Sequence, residues 1–569
     1  MPIRVLASDV VSKIAAGEVV ERPASVVKEL VENSLDANAT QISVEIRGGG
    51  VNLIRVIDNG TGIPADEVAV AFQRYATSKI GDLGDLDTIS SLGFRGEALP
   101  SIASVAEVEV MTRTAEELAG IYLSLINGVV VETGKRASPQ GTTVTVRHLF
   151  QNVPARLKFL KSNTTESSRI SNLVSQYSLA FPEVRFSLFH DGRTALQTVG
   201  NGALRDVMVK VYGLETAGAM IAVGEEGNYP VWGFVSPPHL ARSSRGHLSF
   251  FINRRWVQSG LLSRATEDAY RGLLMTGKHP IAVINISLPP QDIDVNVHPS
   301  KTEVKFRDGH GLFTIVQRPV RAALVKEMTV PQGQRHPGAV GLPVLSHKKE
   351  LLAIQEELFK GYASTRSVSA LTKQSEGLPL PILRVIGQIA ATYITAEGPD
   401  GLYLIDQHAA HERILFERVC FQRQNSTVEV QGMLAPLTIE VTPRQEELLK
   451  DGIEVLESFG FAIEPFGPRT YLLRTVPALL GQGNAAQAVI EILDSLGEEG
   501  ERVKREEKIA FSLACHSAVK AGQVLNQDEM DELVRELEQA DSPYTCPHGR
   551  PTVVCFTSSQ LEREFGRSL

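Results

Sequence analysis

The sequence predicts a multidomain α+β protein, and three observations support this fold class. The chain has 569 residues, a length that typically holds about three or four domains. Helix-like and strand-like hydrophobic periods alternate up to about residue 328 and again from residue 382. Between these parts, residues 329–381 are rich in Pro, Gly, Ser and Gln, which is typical of a flexible linker.

The composition is that of an ordinary water-soluble globular protein, with 43% hydrophobic and 22% charged residues. No run of about 18 apolar residues is present, so we expect no membrane-spanning helix and no membrane partner. The N-terminus lacks a basic-then-apolar signal pattern. Four cysteines in so long a chain do not form a disulfide framework, and a reducing cytoplasm is the expected location.

Charge is distributed unevenly along the chain, although the formal net charge is −9. Residues 1–150 carry 13 Lys and Arg against 19 Asp and Glu, and residues 381–569 carry 17 against 29. Residues 151–330 carry 21 against 14, a net charge of +7. A basic middle part between acidic ends predicts contact with a phosphate backbone. The alternative is chance clustering on a solvated surface.

The N-terminal part contains a first group of candidate site residues. Residues 25–37 have the apolar period of a helix, and Glu29 and Asn33 lie four residues apart on one of its faces. A carboxylate there can act as general base on a water molecule, and an amide oxygen can bind Mg²⁺. The alternative is an exposed Glu/Asn pair without a function.

Glycine-bearing loops follow this helix. Asp58 ends a predicted strand, where it could accept a hydrogen bond from an adenine amino group, and Gly62 lets the backbone approach a ligand closely. The segment 93–96 carries two glycines before a predicted helix at Glu97, whose N–H groups could hold phosphates. No Gly-x-x-x-x-Gly-Lys-Ser/Thr loop is present, so a different nucleotide fold is expected.

The C-terminal part contains a second group, which could bind a metal ion. Residues 386–395 and 403–405 alternate like two strands of a hairpin that ends at Asp406, and a helix is predicted to follow. His408 and Glu412 would share a face of that helix. Cys546 and His548 lie two residues apart, so they would point the same way from an extended segment. Sulfur and imidazole suit zinc; the alternative is a solvated His/Glu pair.

The N-terminal elements resemble the GHKL ATPases, a superfamily that includes gyrase-type topoisomerases, Hsp90 chaperones, histidine kinases and MutL. Four runs are specifically similar to the MutL family: Ala39-Thr40, Ala76-Thr77-Ser78-Lys79, Gly93-Phe94-Arg95-Gly96-Glu97-Ala98 and Asn152-Val153-Pro154-Ala155-Arg156. The resemblance implies that Glu29 activates water, that Asn33 holds Mg²⁺ and that Asp58 reads adenine. It implies ATP contacts for Asn33, Asp58, Gly62, Lys79, Gly93, Phe94, Arg95, Gly96 and Thr143, with Lys301 reaching the γ-phosphate.

The C-terminal motifs resemble the endonuclease domain of the same family. The matching residues are Asp406, Gln407, His408, Ala409, Glu412 and Glu417, the run 546–551 and Phe565-x-Arg567. The family element Ala-Cys-Lys/Arg stands here as Ala514-Cys515-His516, which leaves the role of His516 open. The resemblance implies Asp406 and Glu412 as catalytic residues, and Asp406, His408, Glu412, Cys546 and His548 as metal ligands. Zn²⁺ would be bound, as a structural or a catalytic ion, and Mn²⁺ or Mg²⁺ would support nicking.

These resemblances also imply domain boundaries. An ATPase α/β sandwich is expected at residues 1–205 and a second α/β subdomain, of the ribosomal-protein-S5-like type, at 206–328. The flexible linker is expected at 329–381. A dimerisation and endonuclease domain would occupy 382–569, with an inserted subdomain at about 440–505.

The function implied is ATP-gated DNA mismatch repair by a homodimer that nicks DNA. Its expected partners are DNA, the mismatch sensor MutS and the replication sliding clamp. Residues Gln431–Leu437 resemble clamp-docking peptides; the alternative is a strand whose apolar side chains belong to the core. Candidates for the DNA-facing surface are Asn253, Arg254, Arg255, Trp256 and Arg264. An alternative function is a matchmaker with ATPase activity and no nuclease. A topoisomerase or chaperone function fits the C-terminal motifs poorly.

Overall fold

The computed structural model describes most of the chain. The described residues are 20–79, 91–93, 96–225, 229–271, 273–274, 278–289, 293–294, 305–306, 309–328, 380–425, 427–480, 485–496, 502–519, 522–547 and 549–565. Four predicted site residues, Phe94, Arg95, Lys301 and His548, lie outside these ranges, as do residues 329–379 of the predicted linker.

The residues that the structure describes divide into two compact units. The first contains the chain up to Glu327 together with Val430–Val476 and Ala485–Arg505. The second contains Met328–Glu429, Pro477–Asn484 and Glu506–Leu569. Most of the segment predicted as an insertion, at about residues 440–505, therefore groups with the N-terminal part of the chain.

The largest sheet of the first unit has eight strands among the described residues, in the order β5-β4-β3-β6-β2-β1-β7-β8. Its strands are β1 (Gln41–Arg47), β2 (Leu53–Asp58), β3 (Glu107–Arg113), β4 (Gly120–Ile126), β5 (Val129–Arg136), β6 (Gly141–Arg147), β7 (Arg185–His190) and β8 (Arg193–Gln197). The accompanying helices are α1 (Pro23–Asp36), α2 (Ala98–Val105), α3 (Pro154–Phe159), α4 (Asn163–Ala180), α5 (Leu204–Tyr212) and α6 (Leu214–Ala219).

Alternating side chains of this sheet explain its two-layer construction. In β1, Ile42, Val44 and Ile46 are buried while the residues between them are more exposed, because successive side chains of a strand point to opposite faces. Helices α1 and α4 contribute apolar residues to the same core cluster. Pro23 begins α1, a position where its missing N–H breaks no helical hydrogen bond.

A second sheet of five strands follows among the described residues, in the order β13-β12-β15-β10-β9. The elements of this region are β9 (Ile221–Glu225), β10 (Val231–Val235), β11 (Ala241–Arg242), β12 (Leu248–Ile252), β13 (Arg255–Val257), α7 (Gly260–Ala269), β14 (His279–Pro280), β15 (Ala282–Ile286), β16 (Ile293–Asp294), β17 (Lys305–Phe306) and α8 (Gly309–Met328). Leu262 of α7 and Val316 of α8 lie in the core beneath this sheet.

The segment 430–496 contributes a three-stranded sheet, in the order β21-β23-β22, to the described part of the first unit. Its elements are β21 (Val430–Glu440), α10 (Pro443–Ser458), β22 (Ala462–Gly467), β23 (Thr470–Pro477) and α11 (Ala485–Leu496). Thr442 and Gln445 form a capping box that begins α10, which satisfies two otherwise unpaired N–H groups.

The second unit has a four-stranded sheet among its described residues, in the order β18-β19-β20-β24. Its elements are β18 (Arg384–Ile389), β19 (Tyr393–Gly398), β20 (Gly401–Asp406), α9 (Gln407–Gln424), α12 (Arg502–Ser517), α13 (Gln527–Glu538), β24 (Val553–Thr557) and α14 (Ser558–Glu564). Residues of α9 and α13, such as Ile414 and Leu533, pack into a common core with the sheet.

The helix predicted after Asp406 is confirmed, and so is a hairpin that ends at Asp406, in which β19 and β20 pair antiparallel; the predicted extent of its first strand is wrong. Residues 386–395 do not form one strand, since they turn at Ala390 and Ala391, whose φ angles are 53° and 50°. Thr392 donates its backbone N–H to the carbonyl of Ile389 at 3.1 Å, which closes a two-residue turn of the kind that joins hairpin strands. Three strands therefore precede α9.

The predicted α+β fold class is confirmed by these mixed sheets and their packed helices. Across the described ranges, every helix is too short or too polar to cross a lipid bilayer.

Candidate functional site

A cleft of about 1560 Å³ opens in the first unit beside α1, β2 and β6. This volume exceeds the roughly 300–1,000 Å³ of most small-molecule pockets, so a ligand as large as a nucleoside triphosphate has room. The predicted residues that line the cleft are Glu29, Asn33, Asp58, Gly62, Lys79, Gly93 and Gly96.

Asp58 stands at the end of β2 with its carboxylate fixed by three donors. Oδ2 accepts a hydrogen bond from Ser34 Oγ at 2.8 Å, and Oδ1 accepts from the backbone N–H groups of Gly60 at 2.9 Å and Thr142 at 3.1 Å. Burial raises the pKa of Asp58, although these hydrogen bonds act in the opposite direction. The arrangement holds an acceptor in the cleft wall, where a ligand amino group could donate to it.

Glu29 lies on the cleft side of α1 next to a buried charge network. Lys28 Nζ is 3.5 Å from Glu29 Oε1 and 3.3 Å from Glu32 Oε1, and the hydroxyl of Tyr177 donates to Glu32 at 2.7 Å. Burial opposes the charge of Lys28, but Glu32 and Glu29 outweigh that effect, so that its pKa is raised. The Glu29 carboxylate is thus held in place by a cation beside it.

Asn33, Asp36 and Lys79 connect α1 to the loop that contains Gly93. Lys79 Nζ donates to Asn33 Oδ1 at 3.0 Å and to Asp36 Oδ2 at 2.5 Å. Asp36 also accepts the backbone N–H groups of Leu92 at 2.8 Å and Gly93 at 3.0 Å. The side-chain oxygen of Asn33 therefore faces a cation in the cleft. A hard metal ion such as Mg²⁺ also binds oxygen ligands of this kind.

Glycine is required at Gly96, which has a φ of 62°. A Cβ atom there would lie 2.7 Å from the carbonyl oxygen of Ala76, which is too close for any side chain. Tyr75 donates its backbone N–H to the carbonyl of Gly96 at 3.1 Å. The predicted glycine loop is thus packed against the segment that leads to Lys79.

The structure differs from the sequence prediction at Thr143. That residue is not among the cleft-lining residues, whereas its neighbours Thr142 and Val144 are. They lie on β6, where adjacent side chains point to opposite faces of the sheet. The motif therefore borders the cleft through Thr142 and Val144 and not through Thr143.

Two of the predicted DNA-facing residues are not on an open surface. Arg255 is partly buried, and its guanidinium donates to the carbonyl of Leu92 at 3.2 Å; burial lowers its pKa. Trp256 packs against the core of the first sheet. Asn253 and Arg254 line the cleft, and Arg254 pairs with Glu183. Asn253, Arg254 and Arg264 are exposed, so these three keep the surface location that DNA contact needs.

In the second unit, Asp406 is the N-cap residue of α9. Its Oδ1 accepts the backbone N–H groups of His408 and Ala409, both at 3.0 Å. An N-cap carboxylate satisfies donors that the helix itself leaves unpaired. This position brings Asp406 to the same end of the helix as His408.

His408 has one ring nitrogen fixed and the other directed at a carboxylate. Its Nδ1 lies 2.8 Å from the carbonyl oxygen of Val519, which can only accept, so Nδ1 carries a hydrogen. Nε2 is 3.2 Å from Glu412 Oε1. This interaction, more than the opposing burial, raises the pKa of His408. Nearby, burial together with Arg418 and His408 lowers the pKa of His411 to about 4, and His411 Nδ1 accepts the N–H of Val519.

Cys515 is the functional candidate that the sequence prediction did not include as a ligand. Its Sγ lies 3.0 Å from Glu412 Oε1, the same oxygen that faces His408. The sequence signal was present in the run Ala514-Cys515-His516, but Cys515 and Glu412 lie 103 positions apart, which hides their proximity. An imidazole, a carboxylate and a thiol thus meet at one point.

Cys546 is buried, with 1% of its surface exposed, but its segment is not extended as predicted. The backbone N–H of Gly549 donates to the carbonyl of Cys546 at 2.9 Å, and Cys546 donates to the carbonyl of Arg550 at 2.8 Å. These bonds belong to a tight turn. Among the described side chains, which leave out His548, no group of three His, Cys, Asp or Glu residues has the arrangement of a metal site.

The predicted clamp-docking segment 431–437 lies on β21, an edge strand of its sheet. Leu434 is 99% exposed, and Met433 and Leu437 are only partly buried. The alternative, in which these side chains belong to the core, therefore does not hold for Leu434. The segment offers apolar side chains on an accessible strand.

Comparisons with known proteins agree with this arrangement. Residues 21–151 match the family of histidine kinase-, DNA gyrase B- and HSP90-like ATPases. Residues 208–325 match the C-terminal domain of DNA mismatch repair proteins, and residues 386–525 match the MutL C terminal dimerisation domain. A solved structure of the N-terminal domain of a DNA repair protein has a TM-score of 0.50 and 25% identity, and the match covers 56% of this chain and all of that one.

Two full-length relatives extend the match over the whole chain. The DNA mismatch repair protein MutL of Desulforudis audaxviator is 41% identical over 581 residues, and that of Halothermothrix orenii is 37% identical over 640 residues. In both cases the match covers 99% of this chain and 99% of the relative. The resemblance inferred from the motifs is confirmed, and the chain belongs to the MutL family of DNA mismatch repair proteins.

Proposed function

We propose that this protein is an ATP-gated mismatch repair endonuclease that works as a homodimer. The observation that carries the ATPase part is the convergence of Glu29, Asn33 and Asp58 on one cleft, within the part of the chain that matches an ATPase family. The C-terminal cluster of His408, Glu412 and Cys515 supports the nuclease part.

Each residue of the cleft has a distinct role in the proposed hydrolysis. Asp58 accepts from the adenine amino group. Glu29 accepts a proton from the attacking water, whose oxygen bonds to the γ-phosphorus as the bond to the β-phosphate oxygen breaks. Asn33 would hold Mg²⁺, which neutralises phosphate charge when bound. Lys79, which already meets Asn33, lies where a phosphate oxygen could replace Asp36 as its partner.

A nucleotide-binding measurement tests the Asn33 assignment. Asn33→Ala should lose the Mg²⁺-dependent part of ATP binding, because no other side chain on that turn of α1 offers an amide oxygen to the cleft. Titration of a fluorescent ATP analogue with Mg²⁺ or with a chelator measures this difference. Equal Mg²⁺ dependence in Asn33→Ala and the unmodified protein would reject the assignment.

The donor types of the C-terminal cluster are those that zinc prefers. Thiol and imidazole groups are preferred zinc ligands, and a carboxylate completes many such sites. His408 presents its Nε2 with Nδ1 already hydrogen-bonded to a carbonyl, which is the usual second contact of a metal-binding imidazole. We assign His408, Glu412, Cys515, Cys546 and His548 as ligands, with Asp406 serving a neighbouring Mn²⁺ or Mg²⁺. Such an ion polarises a phosphodiester when bound.

Zinc content tests the ligand assignment directly. Purified protein should contain zinc, and Cys546→Ser should contain much less, since a thiolate ligand is lost. Elemental analysis of both proteins makes the comparison. Equal zinc content in the two proteins would remove Cys546 from the ligand set.

A supercoiled-plasmid assay with Mn²⁺ or Mg²⁺ tests the nuclease itself. Asp406→Asn should abolish nicking while the helix stays capped, because asparagine caps a helix about as well as aspartate. Asp451→Asn, which changes an exposed ion pair with Arg505, is the matched control and should nick normally. If the unmodified protein hydrolyses ATP but never nicks, the matchmaker function without nuclease would be correct.

Homodimer formation is proposed through an open face of the C-terminal sheet. Apolar side chains that stand on neighbouring strands remain exposed there: Ile386, Ile389, Tyr393, Val554 and Phe556. Leu404 pairs with Val554 across β20 and β24. An apolar patch of this kind on a protein in water indicates a protein interface, and the region matches a dimerisation domain.

Sedimentation analysis tests this interface. Val554→Glu with Phe556→Glu should convert a dimer to a monomer, because two charges would be buried without partners. Val129→Glu with Val131→Glu, on the exposed strand β5, adds the same charges elsewhere and serves as control. A dimer in the first double variant would exclude the face.

DNA is the proposed substrate, and MutS and the sliding clamp are the proposed partners. The net charge of +7 in residues 151–330 should place salt-dependent DNA binding there. The acidic C-terminal part would then be held near the DNA by a partner that encircles it.

The exposure of Leu434 on edge strand β21 favours docking of that clamp. Gln431→Ala with Leu434→Ala should abolish clamp-stimulated nicking and leave ATP hydrolysis and dimerisation unchanged. Unchanged stimulation in that double variant would exclude the docking site.

A further inference from the structure

Glu417, the glutamate that follows Glu412 in the C-terminal motif, accepts hydrogen bonds from the protein backbone. Glu417 lies on α9, and its Oε2 accepts the N–H of Asp541 at 2.8 Å while its Oε1 accepts the N–H of Ser542 at 3.1 Å. Both carboxylate oxygens are therefore engaged by adjacent peptide groups. Hydrogen bonds to a charged acceptor are among the stronger ones in proteins.

Arg413 holds the other end of the same short segment. Its Nε donates to the carbonyl of Thr545 at 2.6 Å. Its Nη1 lies 3.7 Å from Glu417 Oε1, an i,i+4 pair on one face of α9. The two side chains are mostly buried, with 13% and 23% of their surfaces exposed. One helix face thus holds both ends of the segment 541–545.

The residue that follows this segment is Cys546. Past it the chain turns back, as Thr545 forms an isolated bridge with Pro551 and Thr552 donates its N–H to Tyr544 at 3.0 Å. The turn that carries Cys546 is therefore closed on itself. After the turn, Thr552 accepts the N–H of Asp406 at 2.9 Å and β24 pairs with β20. Before the turn, Arg413 and Glu417 hold the chain on α9, the helix that also carries Glu412.

We propose that Arg413 and Glu417 form a clamp that positions the Cys546 turn on α9. They are positioning residues, and Glu417 is not a metal ligand although it belongs to the same motif as Glu412. The proposal rests on the proposed function only for its consequence, which is that metal affinity depends on the clamp. The location of the turn itself depends only on contacts within the protein.

If the clamp exists, Glu417→Gln should have two measurable effects. This substitution keeps the shape of the side chain and removes its charge. Loss of charge weakens both bonds to the segment, so the turn opens more often and Cys546 becomes accessible. Alkylation of Cys546 in metal-free protein should speed up by about tenfold, as labelling follows the open population. Zinc affinity should fall by about 10–100-fold, the usual cost of removing a group that orients a ligand.

The experiment uses the full-length protein stripped of metal, treated with iodoacetamide and analysed by mass spectrometry of the Cys546 peptide. Glu536→Gln is the matched control, because Glu536 makes an exposed ion pair with Arg418 on the same helix α9. Arg413→Gln is an independent second variant that removes the other half of the clamp. Unchanged ATP hydrolysis and circular dichroism confirm that each variant is folded.

The outcomes separate the clamp from its alternatives. Faster alkylation in both clamp variants and not in Glu536→Gln supports the proposal, and equal rates in all proteins overturn it. X-ray absorption at saturating zinc should show the same ligand shell in Glu417→Gln as in the unmodified protein; a lost oxygen ligand would make Glu417 a ligand and overturn the positioning role. If the unmodified protein binds no zinc, the proposed metal site fails, while the alkylation result still decides whether the clamp exists.

Discussion

The candidate nucleotide cleft and the candidate metal cluster are assembled in different ways. Most of the cleft comes from one stretch of chain, residues 29–144, and its polar groups are already paired with one another. The candidate metal cluster joins α9 to the end of α12, where Cys515 contacts Glu412, and the proposed ligand set adds the turn at Cys546, so its three segments lie far apart in sequence.

This difference determines what a single substitution should do in each region. In the cleft, hydrogen bonds within the protein hold the shape, so a change at Glu29 should affect the chemical step. In the metal cluster, the bound ion would itself join the three segments, as structural zinc commonly does. A change there should first affect the affinity for metal. Substitutions in the two regions can therefore test this contrast.

The largest effect is expected for Glu29→Ala. ATP hydrolysis should fall by about 10²–10⁴-fold, the usual contribution of a general base, while ATP still binds and zinc content stays the same. Single-turnover hydrolysis and nucleotide titration measure the two properties. Glu67→Ala, at the exposed rim of the same cleft, serves as control. Hydrolysis at the normal rate in Glu29→Ala would show that another group activates the water.

The second effect concerns Cys515. Cys515→Ser should weaken zinc binding by about 100-fold, since roughly 10–16 kcal/mol of binding is shared among the proposed ligands. The rate of ATP hydrolysis should not change. Cys420→Ser is the matched control, because Cys420 lies on α9 outside the cluster. Competition with a zinc chelator measures affinity, and equal affinities for the two variants would contradict a ligand role for Cys515.

The sequence predicted the local parts of both regions well. The helix that carries Glu29 and Asn33, the strand end at Asp58 and the helix start after Asp406 all follow from hydrophobic period and short-range motifs. These signals are local because caps, glycines and helix faces depend on neighbours a few residues away. Hence seven of the predicted nucleotide residues line one cleft: Glu29, Asn33, Asp58, Gly62, Lys79, Gly93 and Gly96.

The features that could not be predicted depend on which face of a strand a side chain takes or on contacts between distant parts of the sequence. Thr142, not Thr143, lines the cleft, and only the pairing of β6 with β2 fixes which face each side chain takes. The proximity of Cys515 to Glu412 and the bonds from Glu417 to residues 541–542 join segments more than 100 residues apart. Neither periodicity nor spacing contains that information.

A third effect tests whether the cleft reads adenine through Asp58. Asp58→Asn should weaken ATP binding by about 10–100-fold, the cost of losing a hydrogen bond to a charged group. The loss should be smaller for an analogue that lacks the adenine amino group. Each nucleotide is titrated against each protein, so that the loss of affinity caused by Asp58→Asn is compared between ATP and the analogue. Equal losses for the two nucleotides would mean that Asp58 supports the fold of the cleft without contacting the base.

The smallest effect is expected at Ser34, which supports Asp58 from α1. Its hydroxyl has one hydrogen and two acceptors in reach, Asp58 Oδ2 at 2.8 Å and the carbonyl of Leu30 at 3.1 Å. When Asp58 is ionised, the shorter contact stabilises its charge, and this contact lowers the pKa that burial raises. Ser34→Ala removes that donor, so ATP binding at neutral pH should weaken by only about 2–10-fold.

The pH dependence of binding separates this support from a simple packing effect. The pKa of Asp58 should rise further in Ser34→Ala, because the charged form loses a donor while burial remains. Binding that needs the ionised carboxylate is present above that pKa and is lost as the pH falls through it. The loss should therefore begin at a higher pH in Ser34→Ala than in the unmodified protein. Parallel titrations with the same midpoint in both proteins would show that Ser34 contributes packing alone.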